Sequence, residues 1–292
     1  ITDPRSQTPS KIIEFHTGVL RNYGWTKTRG NGTLSYVVLI VKGMICYIPS
    51  KGRPSTKTHK LFQSAGIEVL HFIEPSEYEL YHPLPGTKVN IGEDNRGISY
   101  VRNFMLDYAK RHGHIHVIFC DDDVTSFGKY VDGERIKSDA SIWLEIFDKV
   151  RDLPYELVGI NYVQFAWGKQ KDMSINTKFA EVCVLINNTS KIHWGYRAEF
   201  DTKEDRDFVM QTIRDGAGVL RFNQFWFACP GVGTNRGGLQ NLYKEKRDEL
   251  AAHSMCEEWA PYITTKCKKD RLDLKADLKG LALHYGKESF FR

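Results

Sequence analysis

None of the 292 residues falls in an uninterrupted apolar stretch of the roughly 18 to 20 residues that a membrane-spanning helix requires. The nearest run, Tyr36 to Val41, stops at Lys42, and a soluble protein is expected. Cysteine is scarce and unpatterned. The six cysteines form no Cys-x-x-Cys pair, and several lie in apolar runs where a thiol packs as a small hydrophobe. That argues against structural zinc and for a reducing, intracellular compartment. One-sided charge is also lacking, because a formal net charge of +5 is too small to argue by itself for a polyanionic partner. There is no internal repeat and no low-complexity segment. The chain opens on Ile1 rather than Met, which raises the expectation of an upstream domain or partner.

What is present, 41% hydrophobic and 26% charged residues, suits one large α/β domain with extensions. Its centre is the stretch from Ile115 to Val124, where a β-branched and aromatic run ends in Asp121, Asp122 and Asp123. This predicts a buried strand delivering acid to its own C-terminal end. If the backbone stays extended, Asp121 and Asp123 point one way and Asp122 the other. Paired like charges at that edge of an α/β sheet call for a cation, and oxygen ligands favour Mg²⁺ or Mn²⁺. A solvated acidic turn is the plainer alternative.

Three regions are expected: an extension over 1–43 adding an edge strand or lid, a core over 44–245, and a basic helical tail over 246–292 packed on it. In the core, Met44 to Ile48 reads as a strand ending at Pro49, Ser50, Lys51, Gly52 and Arg53. A helix over 56–65 and a strand over 67–73, ending in Glu74 and leading to Tyr78, complete a βαβ unit and imply a parallel sheet. Val101, Phe104, Met105 and Tyr108 recur at helical spacing, placing Arg102 and Asn103 near a helix start beside the aspartates, as pyrophosphate binding requires. Further strands are expected over 157–162 and 180–186, with a polar covering loop over 168–178. Glu204, Asp205 and Asp207 open a helix, where acids favour the dipole and need no function. The four glycines between Pro230 and Gly238 allow close backbone approach to a ligand.

Strands ending in IPSKGRP and IEPSEY, a helix carrying RN and a strand ending in CDDDV resemble a GT-A glycosyltransferase, with the WG and KED segments resembling its acceptor half. PSKGRP, IEPSEYELY, GISYVRN, DDD and GTNRGGL together resemble, more narrowly, the TET/JBP-associated glycosyltransferases, of bacteriophage or base J type. The resemblance implies an α/β, GT-A-like Rossmann-type nucleotide-sugar domain with a mostly parallel sheet. It implies a UDP-sugar donor, Mn²⁺ or Mg²⁺ on Asp121 and Asp123, and a hydroxymethylated pyrimidine in DNA as acceptor, 5-hydroxymethylcytosine first among them. Pro49, Ser50, Arg53, Glu74, Tyr78, Arg102, Asn103, Asp121 and Asp122 would surround the nucleotide. Asp205 would be the base, with Glu204 its competitor, and His284, ahead of His253, a third metal ligand. A partner dioxygenase is implied, as is location in host cytoplasm or nucleus. Trp167, Trp194 and Tyr243 are candidates for stacking on a base, and Lys169, Lys171 and Arg236 for phosphate contacts.

Two rival readings remain. Asp121, Asp123 and Thr125 also fit the aspartyl-phosphate motif of a haloacid-dehalogenase-like phosphatase, although two βα units precede it. A non-catalytic binding module that keeps the fold is the other.

Overall fold

The computed structural model describes residues 23–30, 33–40, 44–167, 171–231, 234, 237–268 and 271–285. Lys169 and Arg236 lie outside them. The chain divides into two units, Ile1–Lys42 and Gly43–Arg292. In the first, β1 (Tyr23–Gly30) and β2 (Thr33–Ile40) pair antiparallel from Tyr23 opposite Ile40 to Gly30 opposite Thr33. The strand expected at the apolar run therefore bonds within a hairpin of its own.

The second unit begins with β3 (Ile45–Ser50), α1 (Thr58–Ser64), β4 (Glu68–Ile73), β5 (Thr87–Asn90), α2 (Gly97–Arg111) and β6 (Val117–Cys120). Then come β7 (Ser126–Val131), β8 (Glu134–Ser138), α3 (Ser141–Val150), β9 (Leu157–Tyr162), β10 (Met173–Ile175), β11 (Cys183–Ile186), α4 (Glu204–Arg214) and β12 (Val219–Ala228). The expected core ends with α5 (Gln240–Lys244), and the expected tail contains α6 (Arg247–Glu258), the antiparallel hairpin of β13 (Ile263–Lys268) and β14 (Arg271–Ala276), and α7 (Leu278–His284). It is thus part helix and part hairpin.

Every residue of β3 and of β6 is buried, as their apolar sequences require of strands covered on both faces. The main sheet runs β5-β4-β3-β6-β11-β9-β12-β7-β8, with β10 added on β12. Strands β5, β4, β3 and β6 are parallel, as are β9 and β12, and antiparallel β11 joins the two groups. It follows that the C-terminal ends of β3, β4, β6, β9 and β12 and the N-terminal end of β11 share one edge.

One face packs Tyr47, Phe72 and Phe119 against Met105 of α2 and Phe208 and Val209 of α4. The other packs Cys46, Ile48 and Phe127 against Phe62 of α1 and Trp143 of α3. Each fully buried side chain of this size contributes on the order of 1.5 to 3 kcal/mol. Helix α2 ends as its sequence directs, with Lys110 and Arg111 in the last turn and Gly113 at φ 67° just beyond. The tail closes the first face: Ala252, Met255, Trp259, Leu278 and Leu281 all lie in its core. It is held by fully buried Asp207, which accepts hydrogen bonds from Trp259 Nε1 (2.8 Å), Gln211 (2.8 Å) and Arg197 Nε (2.9 Å). Among the described residues, no helix is long and apolar enough to cross a membrane.

Candidate active site

The three aspartates do not alternate as an extended strand would make them. Strand β6 ends at Cys120, and after Asp121, whose N–H bonds to the Val182 carbonyl at 2.9 Å, the chain turns at Asp122 and Asp123. Asp121 faces α2, where Arg102 Nη2 donates to its Oδ1 at 2.9 Å. Asp122 is buried, receiving Ser50 Oγ on one oxygen and Arg53 Nη1 (2.5 Å) on the other, and its carbonyl accepts Thr58 Oγ1 at 2.7 Å. Asp123 is a quarter exposed, with Arg53 Nη1 at 3.5 Å from its Oδ2.

Arg102 is the hub of the site. It is 7% exposed, stands over the Tyr196 ring at 5.4 Å, and spends its second amine on Glu204 Oε1 at 2.8 Å. Burial works against its charge, but Glu204 and Asp121 together outweigh that and keep it cationic. Burial also pushes the Asp121 carboxyl up to about 7 and that of Asp122 up to about 6, with Arg102 and Arg53 respectively pulling the other way. Glu204, 4% exposed at the start of α4, is raised by burial too.

The ends of β3 and β4 form a second wall. Pro49 and Ser50 are buried at the end of β3, and Ser50 Oγ lies 2.9 Å from Tyr81 Oη. Tyr81 Oη in turn accepts the Arg53 N–H at 2.8 Å. Buried Glu74 pairs with Lys51 Nζ at 2.7 Å, and Tyr78 Oη donates to the Lys88 carbonyl at 3.2 Å. The glycine-rich loop backs onto this wall: a Cβ on Gly237, at φ 79°, would lie 2.7 Å from the Lys51 carbonyl oxygen. Its close approach is therefore to the IPSKGRP turn.

On the far side of Arg102, Asp205 is half-buried, and its Oδ1 accepts the Arg206 N–H at 2.7 Å. Beside it stand three residues that the sequence did not single out. Arg206 Nε donates to Glu181 Oε1 at 2.8 Å, and Tyr162 Oη to Glu181 Oε2 at 3.3 Å. Burial and the Glu181 charge raise the Tyr162 hydroxyl, which stays a donor. Only the placement of β11 between β6 and β9 brings Glu181 here, and no local motif signals it.

Other expected residues meet partners of their own. Both ends of the Asn103 amide bind the Tyr196 backbone, each at 2.7 Å, which fixes the Trp194-Gly195-Tyr196 loop. His284 ends α7 exposed, its ring against Tyr262 (5.7 Å) and Tyr285 (4.8 Å), and His253 is exposed on α6. Trp194 lines a 450 Å³ cleft with Glu156, Lys191 and Ala217. Glu156 and Ala217 precede β9 and β12, so that cleft opens at the edge opposite the aspartates. Among the described residues no three His, Cys, Asp or Glu side chains converge as metal ligands. Mg²⁺ typically takes one or two carboxylates and completes its shell with substrate phosphate and water, and Asp121 (34% exposed) and Asp123 (25%) suit that role without a histidine.

The sheet is mixed α/β of GT-A-like, Rossmann-type form, with acids and arginines gathered at the C-terminal edge of its parallel strands. Residues 44–238 match the family described as TET-Associated Glycosyltransferase, and the chain belongs to that family. No curated protein matches it. Family membership sets the phosphatase reading aside and makes the chain a glycosyltransferase.

Proposed function

We propose that this protein moves a sugar from a UDP-sugar to the hydroxymethyl group of a modified pyrimidine in DNA, with 5-hydroxymethylcytosine the expected base. The observation that carries the reading is that one sheet edge holds Asp121 and Asp123 on one side of buried Arg102 and the half-buried Asp205 carboxylate on the other. The first side suits a diphosphate and its cation; the second suits a hydroxyl.

In the proposed step the acceptor oxygen attacks the anomeric carbon and the new C–O bond forms as the bond to the diphosphate breaks. The leaving diphosphate takes the electron pair, and Asp205 accepts the acceptor proton. Glu204 is the weaker candidate for that proton, because its carboxylate is engaged by Arg102. Mn²⁺ or Mg²⁺, when bound at Asp121 and Asp123, supplies neutralisation of the charge developing on the diphosphate. Ser50, Arg53, Glu74 and Tyr78 line the nucleotide side. The nucleic-acid acceptor is supported by Phe165 and Trp167, 50% and 57% exposed just beyond the active-site end of β9, with Lys171 following. Trp194, at the other edge, has no part in it.

The test is incubation with hydroxymethylated or unmodified DNA, a panel of nucleotide sugars and Mn²⁺, followed by mass analysis of the nucleosides. Sugar mass on the hydroxymethylated base alone, abolished by EDTA and by Asp123→Asn, is expected. Equal transfer to a peptide or free-sugar hydroxyl, without salt-sensitive DNA binding, refutes the acceptor. Transfer indifferent to both EDTA and Asp123→Asn refutes the metal.

A further inference from the structure

Glu181 is presented by an unusual backbone. The Cys183 N–H bonds to the Glu181 carbonyl at 2.6 Å around Val182, whose φ is 64°. This is a γ-turn of the rare positive-φ form, on a β-branched residue that avoids that region. Such strain costs on the order of 1 to 3 kcal/mol and persists only where the surroundings enforce it. Here the Val182 carbonyl also accepts the Asp121 N–H, so the turn couples the metal-side acid to Glu181.

The Glu181 carboxylate holds Arg206 in a particular place. The guanidinium is fixed by Glu181 at 2.8 Å, by Asp273 of β14 at 3.5 Å, and over the Phe179 ring at 5.2 Å. Arg206 follows Asp205 directly in the chain, yet no ion pair joins their side chains among the described residues, and Asp205 accepts only the backbone N–H. Arg102, Asp205, Glu181 and Tyr196 surround a cavity of about 10 Å³, room for roughly one water. On the glycosyltransfer reading above, Asp205 must take a proton, and a guanidinium docked on it would oppose that.

We propose that Glu181 is a positioning residue: it draws Arg206 aside to Asp273 and Phe179, leaving the Asp205 carboxylate open to the acceptor hydroxyl. The groups that set the charge around Asp205 are Arg102 of α2, Tyr162 of β9, Tyr196 of the loop before α4, Glu181, and Glu204 and Arg206 of its own helix. Of these only Arg206 is a cation tethered next to it and restrained by a removable partner.

In Glu181→Gln, Arg206 is expected to swing onto Asp205. The kcat should fall about tenfold, less than the 10²-fold or more of losing a base outright, with KM for the nucleotide sugar within twofold. The acid limb of the pH–kcat profile should move to lower pH. Glu181→Gln/Arg206→Gln should recover most of the lost kcat, which a merely structural role for Glu181 would not allow. If Glu181→Gln does not fold, Glu181→Asp, which keeps the charge on a shorter arm, should show the same shift in smaller measure. Carboxylate titration of ¹³C-labelled Asp205 gives a readout independent of turnover, and its midpoint should fall in the Glu181 variant. An active wild type with an unmoved acid limb, an unmoved titration and no rescue overturns the proposal. A wild type that transfers no sugar overturns the glycosyltransfer reading, and the double-variant titration then still decides whether Glu181 restrains Arg206: Arg206→Gln should move the Asp205 midpoint farther in the Glu181→Gln background than in wild type, and an equal movement in both overturns the restraint.

Discussion

Arg102→Met isolates the energetics of the hub. The side chains of Arg102 and Glu204 are 8% and 5% exposed and meet at 2.8 Å, while Asp121 lies 2.9 Å from the other amine. Methionine fills most of the volume but leaves a buried carboxylate uncompensated, a change that costs about 3 to 5 kcal/mol. The cost must depend on pH in a definite direction. Both carboxyls already titrate above their ordinary range because burial disfavours the charged form, and losing Arg102 pushes them further up. The folded variant thus holds more protons than its unfolded chain in the window between the ordinary carboxylate range and neutral to mildly alkaline pH, and its stability falls as pH rises through that window. Urea denaturation of wild type and variant at pH 6 and pH 8 measures this. The deficit should be several kcal/mol at pH 8 and clearly smaller at pH 6, and Arg102→Met/Glu204→Gln should recover at least about 1 kcal/mol at pH 8, a coupling expected of residues in direct contact. A deficit below about 1 kcal/mol, or one equal at the two pH values, refutes the hub as the site of uncompensated charge.

Asp205→Asn should lower kcat by about 10²-fold or more with nucleotide-sugar binding retained by calorimetry, and full activity in that variant would remove Asp205 as the base. His71 is fully buried, and burial, then the His59 and Lys88 charges, push its imidazole down to about 4 against the Pro85 carbonyl. Its contribution is present above about pH 6.5 and lost as pH falls towards 4, so wild type should lose about 3 kcal/mol more than His71→Leu over that interval in urea melts. Gly128 of β7 sits where a Cβ would come 2.1 Å from Trp226 Cζ2 and 2.3 Å from the Ile136 carbonyl oxygen. Gly128→Ala should therefore cost about 1 to 3 kcal/mol by thermal melt, and a neutral result would mean that β8 and Trp226 yield freely.

The order of strands at the aspartates was open to a reader of the sequence because it rests on local signals. Apolar runs such as ICYI and VIFC stop at polar turns, and the recurrence of Val101 and Met105 marks α2. The pairing of Arg102 with Glu204, 102 residues apart, was not legible, although each residue had been marked separately. The orientation of the aspartates was misjudged because alternation was extended past the true end of β6. Glu181 escaped notice because its relevance depends on an antiparallel strand inserted between two parallel ones, and periodicity carries no information on strand order. For Asn103 the sequence could not show that its amide would bind a backbone 93 residues away.

The way the tail is fastened bears on modularity. The matched family segment ends at residue 238, yet the buried carboxylate of Asp207 is satisfied in part by Trp259, and the core beside α4 is finished by Met255, Leu278 and Leu281. Asp273, which shares Arg206 with Glu181, also belongs to that later chain. A graft of residues 44–238 into another protein would carry an apolar wall without its facing stones and an indole acceptor without its indole. Exchange of acceptor preference between relatives would then require α6, the β13–β14 hairpin and α7 to travel with the sheet edge, since their side chains roof the helix on which Asp205 stands.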